Sequence, residues 1–294
     1  MFRFIDAERA NHSVVLMCQV LGVSRSGYYA WARRGPSALA RADAELLTQI
    51  REIHEESRRC YGAPRVHVEL RDGVGVGVGR KRVARLMAAN GLHGRCGRLP
   101  GPKTTRRERQ VEPPLPDLVG RKFEAGRPDE VWCADITYVR TWEGWLYVAA
   151  VIDLCSRMIV GWAMADHMRA ELVCDATRMA IARRRPEPGL VFHSDRGSQY
   201  LSDAHRGLLA AHEIRQSAGA VGACWDNAVA ESLWATLKCE LVYTRSFATR
   251  EEARAEIFDY IEVFYNRRRR HSSLGYLSPL DFEAKHGTIE EVVI

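Results

Sequence analysis

Three acidic residues, Asp135, Asp195 and Glu231, are the best candidates for chemistry in this 294-residue chain. Asp135 stands in the apolar pattern of residues 131–139, where an unpaired acid would be costly to bury. Asp195 follows a short apolar run at the start of a glycine-containing loop, where α/β sheets bind ligands. Carboxylates that a sheet brings together repel one another unless a hard cation binds them, and Mg²⁺ is the expected ion.

Glu231 lies on a predicted helix with an amide and a cation on the same face. Asn227 precedes it by four residues and Lys238 follows it by seven. At ~100° per residue, the three side chains share one face to within ~40°. This stripe could face a phosphodiester, although a solvated helix face is the alternative for Asn227 and Lys238.

The elements that must position these acids belong to a mixed α/β fold. Three β-rich runs, at 131–139, 145–153 and 157–164, are separated by short turns and predict an antiparallel meander. Helical and strand patterns then alternate, with strands at 190–194 and 214–217 and helices at 170–184, 203–212, 227–243 and 250–266. The pattern predicts a mixed sheet with helices on its faces.

The region before the sheet is predicted to be all helical. Residues 14–34 have a helix-turn-helix outline with Ser24 as N-cap, although a helical hairpin with core aromatics fits equally well. A helix is predicted at 44–56, and a second helical pair follows, with Val66, Val68 and Leu70 leading to Gly73 and a helix at 80–90. The glycine-rich connection of this pair, at 73–79, lacks the spacing of a nucleotide loop. The candidate DNA contacts in this region are Arg25, Arg80, Lys81 and Arg82.

Charge distinguishes the two halves. Residues 1–125 hold 23 Lys and Arg against 13 Asp and Glu, a net charge of +10, whereas residues 126–294 have a net charge of −4. A basic first half favours a polyanion such as DNA. Residues 97–126 form a basic, proline-rich linker that either follows DNA or is a solvated tether.

Other features exclude some classes of protein. The longest apolar run has eight residues, far below the ~20 of a membrane span, and acids near the start argue against a secretory signal. Eight scattered cysteines indicate a reducing compartment. A zinc site built from Cys60, His67, His93 and Cys96 is rejected, because two of the four do not form a paired ligand knuckle.

An arginine run closes the last long helical pattern. Arg267, Arg268, Arg270 and His271 favour the negative end of a helix and could also grip a phosphate backbone. We expect DNA contact here, with simple solvation as the alternative.

Seven segments carry a family resemblance that covers nearly the whole chain. In chain order they are SRSGYYAW, YGAPRVHVEL, RVARLMAANGL, WCADITYV, HSDRGSQY, CWDNAVAESLWATLK and YNRRRRHSSLGYLSP. They resemble the second-reading-frame catalytic product of the insertion-sequence-three family of bacterial DDE transposases. The resemblance implies a ribonuclease H-like integrase core with a five-stranded sheet.

The resemblance also implies a mechanism and partners. Asp135, Asp195 and Glu231 would hold two Mg²⁺ ions, with Mn²⁺ able to substitute, for cleavage at element ends and transfer of the 3′-OH into DNA. Lys238 would hold terminal DNA, and His193 or Gln199 would orient the substrate, unless His193 only packs beside the strand. Expected partners are double-stranded DNA, further copies of the chain on DNA, and an upstream-frame helix-turn-helix and leucine-zipper product, supplied by frameshift fusion.

The expected organisation has five parts: a helix-turn-helix-like segment at 1–44, a second helical DNA-binding domain at 45–96, the linker at 97–126, the catalytic core at 127–286 and a tail at 287–294. The expected location is the bacterial cytoplasm, associated with the nucleoid. Two rival functions are a non-catalytic DNA-binding regulator of transposition and a nuclease on the same fold.

Overall fold

The sheet lies between two layers of helices, and an all-α region precedes it along the chain. The computed structural model describes residues 1–95, 115–120, 125–219 and 228–287. Most of the predicted linker and almost all of the predicted tail lie outside these residues. None of the helices in the described part of the chain is long and apolar enough to cross a membrane.

Three short helices form the first unit: α1 (Phe2–Glu8), α2 (Val14–Val20) and α3 (Arg25–Arg33). They pack around Ile5, Met17, Cys18 and Tyr28. The Ser24 side chain accepts a hydrogen bond from the Gly27 N–H and caps α3, as predicted. The predicted pair α2 and α3 is present, and the sequence pattern missed α1.

The second helical unit contains α4 (Ala38–Glu56), α5 (Ala63–Val68) with a π-helical turn at Glu69–Gly73, and α6 (Arg80–Ala89). Ser37 accepts a hydrogen bond from the Ala40 N–H and starts α4. The predicted boundary between residues 44 and 45 therefore falls inside α4. The apolar periodicity begins only at Leu46, because the first turns of α4 are exposed.

The sheet has the strand order β3-β2-β1-β4-β5. Its strands are β1 (Val131–Thr141), β2 (Gly144–Asp153), β3 (Ile159–Ala165), β4 (Val191–Ser194) and β5 (Arg215–Ala218). The first three form an antiparallel meander, while β4 pairs in parallel with both β1 and β5. The predicted mixed five-stranded α/β sheet is confirmed.

Helices cover both faces of the sheet. Helices α7 (Ala170–Arg184) and α8 (Asp203–Ala211) share a core with alternate β1 residues such as Trp132 and Ala134. On the other face lie α9 (Ala228–Glu240) and α10 (Arg250–Asp259), which a π-helical segment extends through Tyr260–Tyr265. Two 3₁₀ turns (Val242–Thr244, Ser272–Leu274) and α11 (Pro279–Lys285) complete the described chain.

The second helical unit packs directly against the sheet domain. One continuous core includes Ile53 and Tyr61 from the helical unit and Phe264 from the segment after α10. The Tyr61 hydroxyl accepts a hydrogen bond from the Arg270 N–H at 2.7 Å and donates one to the Arg268 carbonyl at 3.1 Å. These contacts fix the helical unit against one end of the sheet domain.

A buried ion pair lies at this junction. Arg269 donates from Nε and Nη2 to the two carboxylate oxygens of Glu240, each at 2.8 Å. The Tyr260 hydroxyl donates to the same carboxylate at 2.7 Å, and Arg65 lies 3.8 Å away. The Arg269 and Glu240 side chains are only 5% and 1% exposed, so each depends on the other to remain charged.

Replacing Arg269 with Leu is expected to lower the free energy of unfolding by about 3–5 kcal/mol, because it leaves the Glu240 charge buried without its main partner. Urea denaturation measures the change. The control is Arg178→Leu, which removes an exposed pair with Asp175 and should cost less than about 1 kcal/mol. Similar losses in the two variants would contradict a structural role for the buried pair.

Candidate active site

Asp135 and Asp195 follow the last residue pair between β1 and β4. That parallel register ends at Ala134 and Ser194, so Asp135, within β1, and Asp195, directly after β4, are the next residues along the two chain segments. Neighbouring strands lie about 4.8 Å apart, so this register brings together two carboxylates that have 59 residues between them in sequence.

Glu231 approaches from the helix that covers the same region of β1. Cys133 and Val139 of β1 share a core with Leu233 and Leu237 of α9. Because side chains alternate along a strand, Asp135 lies on the face that α9 covers. Glu231 lies in the first turn of that helix and is exposed, while its neighbours Leu233 and Trp234 are buried.

The charges of the other two acids act on the carboxyl of Asp135. Burial and the negative charges of Asp195 and Glu231 raise the pKa of Asp135 to about 7, against a hydrogen bond from the Ile136 N–H at 2.8 Å. The indole of Trp234 also lowers this pKa, although its buried Nε1 has no partner within hydrogen-bonding distance among the described atoms. Asp135 is therefore a destabilised carboxylate whose charge a bound cation would favour.

The other two acids are also partly desolvated. Asp195 is exposed at the surface, yet surrounding protein atoms desolvate its carboxyl and raise its pKa, opposed by a hydrogen bond from the Gly197 N–H at 3.0 Å. Desolvation likewise raises the pKa of Glu231. All three positions disfavour an unpaired negative charge.

A divalent cation fits this set by chemistry. The three side chains supply only carboxylate oxygens, the donors that Mg²⁺ prefers. Within the described ranges, however, no three His, Cys, Asp or Glu side chains are close enough to hold a metal ion. The negative charges of Asp195 and Glu231 nevertheless reach Asp135 and contribute to its raised pKa.

Lys238 lies close enough to Asp135 for the two charges to interact. Burial lowers its pKa, and the charge of Asp135 opposes this shift. Its ammonium nitrogen is 5.1 Å from the centre of the Tyr138 ring. Asn227, the other member of the predicted stripe, lies outside the described residues.

His193 and Gln199 occupy different environments near Asp195. His193 is 1% exposed, and its Nδ1 lies 2.9 Å from the Ser217 hydroxyl of β5, which favours the packing alternative. Gln199 follows the Gly197 turn and donates from Nε2 to the Met168 carbonyl at 3.0 Å. A Cβ on Gly197 would lie 3.0 Å from both Asp195 Oδ1 and Gln199 Oε1, so this turn requires a close approach.

The predicted DNA contacts separate into surface and internal residues. Five of them are exposed: Arg25, Arg80, Lys81, Arg267 and Arg268.

Of the remaining three, Arg82 and Arg270 are half-buried in ion pairs within the protein, and His271 is buried. Arg82 donates to Asp43 at 2.7 Å, and Arg270 binds both oxygens of Glu69 at 2.6 and 2.8 Å. His271 is 9% exposed, and burial lowers its pKa well below the ordinary value. The acidic partner of Arg82 is 39 residues away in sequence, and that of Arg270 is 201 residues away. A local run of charges in the sequence therefore could not predict these ion pairs.

The sequence analysis overlooked two aromatic residues of this site. Trp234 faces Asp135 from α9, and Tyr138 lies under the Lys238 ammonium. The available signal for Trp234 is its position three residues after Glu231, on the same side of the helix. The sequence indicates Tyr138 as a site residue less clearly, because the exposure of its ring depends on how far β1 extends beyond β4.

Family models match two parts of the chain. The description "Integrase core domain" matches residues 125–224 and, by a second model, 212–279, and "HTH-like domain" matches residues 41–98. The chain is 43% identical over 270 residues to the insertion element IS600 uncharacterized 31 kDa protein of Shigella sonnei, covering 92% of this chain and 98% of the relative. It is 41% identical to the transposase InsF for insertion sequence IS3A of Escherichia coli, over 96% of this chain and 98% of the relative.

The chain belongs to the IS3 family of transposases. It is a DDE-type enzyme with an integrase core and an HTH-like domain, which confirms the predicted family, activity class and fold. Among solved structures, a chain of the simian T-cell lymphotropic virus intasome in complex with PP2A regulatory subunit B56 gamma aligns with a TM-score of 0.47. That alignment has 12% identity and covers 83% of this transposase and 76% of the viral chain.

Replacing Asp195 with Asn is expected to lower the pKa of Asp135 from about 7, because it removes a negative charge that raises it. The pKa lies above the ordinary value of about 4, so the free energy of unfolding of the metal-free transposase should fall as pH rises from about 4 to about 7. The variant should lose less stability over that range. Carboxyl ¹³C NMR titration measures the pKa directly.

The control for this titration is Asp175→Asn, which changes an exposed acid on α7. It should leave the titration of Asp135 unchanged. An unaltered Asp135 pKa in Asp195→Asn would show that the two carboxyls do not interact.

Proposed function

We propose that this transposase cleaves DNA at the ends of its insertion sequence and joins the freed 3′-OH to another phosphodiester, with Mg²⁺ or Mn²⁺ as cofactor. The observation that carries the proposal is the grouping of three acids, in which burial together with the charges of Asp195 and Glu231 raises the pKa of Asp135 to about 7. A lone structural carboxylate has no need of two further acids beside it, whereas a cation-binding site does.

Each side chain has a task in the proposed reaction. When bound, a pair of Mg²⁺ ions supplies Lewis-acid activation of the phosphodiester and of an attacking water or 3′-OH. Asp135 offers ligand oxygens from within β1, Asp195 offers them from the end of the adjacent β4, and Glu231 completes the set from α9. Lys238 pairs with a phosphate of the terminal DNA, since its ammonium group is close enough to the Asp135 carboxylate for the two charges to interact. In joining, one phosphodiester forms as another breaks, so no external energy source is required.

The DNA itself is proposed to follow the exposed basic residues Arg25, Arg80, Lys81, Arg267 and Arg268. Asn227 remains a proposed contact, and Gln199 a proposed substrate-orienting residue. Further copies of the chain assembling on DNA, the upstream-frame product and association with the nucleoid are also part of this proposal. The HTH-like domain and the relatives named as transposases support DNA as the partner.

A joining assay tests the reaction. The substrate is a duplex whose end matches the inverted repeats that flank the gene and carries a free 3′-OH. The full chain, alone and fused to its upstream frame, should join this end to plasmid DNA only with Mg²⁺ or Mn²⁺. Glu231→Gln should reduce joining by about 100-fold or more, as loss of a group that acts at the reacting atoms does.

The matched control is Glu171→Gln, because Glu171 is also an exposed acid in the first turn of a helix. It should join at the wild-type rate. Equal joining by Glu231→Gln would contradict the assigned site. Cutting without joining would identify a nuclease, and DNA binding with neither activity a regulator.

The proposed phosphate contacts at the end of the last long helix predict a change in salt dependence. Arg267→Ala combined with Arg268→Ala should weaken DNA binding on all sequences and reduce the slope of log K against log salt by about 0.9 per lost contact. Fluorescence anisotropy over a salt series measures this slope. Arg178→Ala removes an exposed arginine of α7 as the control, and a slope that changes equally in both proteins would argue against a contact.

A further inference from the structure

Two large aromatic side chains are exposed on the β1–β2 hairpin near the acids. Tyr138 and Trp145 are each 45% exposed, and their rings meet edge to face with centroids 5.0 Å apart. Aromatic side chains contribute most to stability and binding when their surface is buried. An exposed pair of this size therefore indicates a surface that a ligand or partner covers. The proposed reaction gives this pair no task.

Lys238 links the pair to the site. Its ammonium nitrogen lies 5.1 Å from the Tyr138 ring and within the field of Asp135. Tyr138 is the third residue after Asp135 along β1, about 10 Å of strand, and although side-chain alternation turns its ring away from the Asp135 carboxyl, the ring is within reach of Lys238. That distance equals roughly three base steps of DNA at about 3.4 Å each.

The surroundings of the pair are mainly cationic. Arg140 is exposed and lies opposite Trp145 in the strand register. Arg250 donates from Nε to the Trp145 carbonyl at 3.0 Å, and its own N–H donates to the Glu143 carboxylate. With Lys238, these groups give an aromatic surface with positive charge on several sides, the composition of single-strand nucleic-acid sites.

We propose that the Tyr138–Trp145 pair is a stacking platform for an unpaired base of the DNA strand, within about three nucleotides of the phosphodiester that the acids hold. This inference rests on the proposed function. An unpaired base is the expected occupant, because bases inside a duplex already stack on both faces and only an unpaired or terminal base offers a free one. The platform would keep the element end open beside the site.

A similar aromatic pair, formed between β3 and α10, provides a control. Trp162 of β3 and Phe258 of α10 also meet edge to face, with centroids 5.8 Å apart, and Phe258 is 49% exposed. The pair lies two strands from β1, in a groove that Asp175 and Glu251 also line. It has the same ring geometry without the position near the catalytic acids.

The experiment compares two DNA ends bound by the full chain, with Ca²⁺ in place of Mg²⁺ so that the DNA stays uncut. One duplex is blunt, and the other has a short unpaired extension at the element end that contains 2-aminopurine. The wild type should bind the extended end about 5- to 150-fold more tightly, the equivalent of ~1–3 kcal/mol per stacked base, and quench the 2-aminopurine.

Variants assign this preference to the two rings. Trp145→Ala should lose most of the preference and of the quenching, while Tyr138→Phe, which keeps the ring, and Phe258→Ala should retain both. Equal weakening on the two DNA ends would mean that the rings only stabilise the hairpin, and it would overturn the proposal. Retained preference in Trp145→Ala would overturn it as well.

A measurement on the wild type alone covers the case in which Trp145→Ala fails to fold. Abasic sites are placed at successive positions of the extension, and one position within three nucleotides of the end should abolish the preference. Uniform affinity across all positions would overturn the platform. Because these assays require no catalysis, they stand apart from the joining assay, whose failure in the wild type would refute the proposed function instead.

Discussion

The parallel pairing of β1 with β4 is the constraint on which the site depends. It is only four residues long, and its last pair places Asp135, within β1, beside Asp195, directly after the end of β4. A shift of this register by one residue would turn every β4 side chain to the opposite face. The buried residues Phe192 and His193 hold the register, since Phe192 packs in the α7 core and His193 contacts Ser217.

Much of the sheet could be predicted from the sequence, because its strands are short apolar runs with clear turns between them. The acids stood out for the same reason, since Asp135 interrupts an apolar strand and Asp195 follows one. The start of α4 could not be predicted from periodicity, as its first turns bury nothing. The ion pairs of Arg82 and Arg270 could not be predicted either, because their acidic partners lie far away in the sequence. The sequence places Glu231 on a helix but does not predict its distance from Asp135 and Asp195, because that distance depends on how α9 packs on β1.

The buried pair of Arg269 and Glu240 shows why an arginine run is ambiguous. Of four consecutive arginines, Arg267 and Arg268 are exposed, while Arg269 and Arg270 bind carboxylates within the protein. The arrangement orients the last part of the chain against the helical unit, with Tyr61 hydrogen-bonded to its backbone. Such charged junctions specify one arrangement more than they add stability, and here they relate the HTH-like domain to the integrase core.

The shortness of β4 has a consequence for how this family tolerates change. Beyond Ala134, the β1 edge on that side has no strand partner in the described ranges until the isolated bridge of Thr141 with Phe247. Extending β4 by even two residues would let its backbone pair along this edge and occupy the approach to Asp135. Insertions between β4 and α8 should therefore be far rarer than insertions at the opposite rim, where the chain returns from α7.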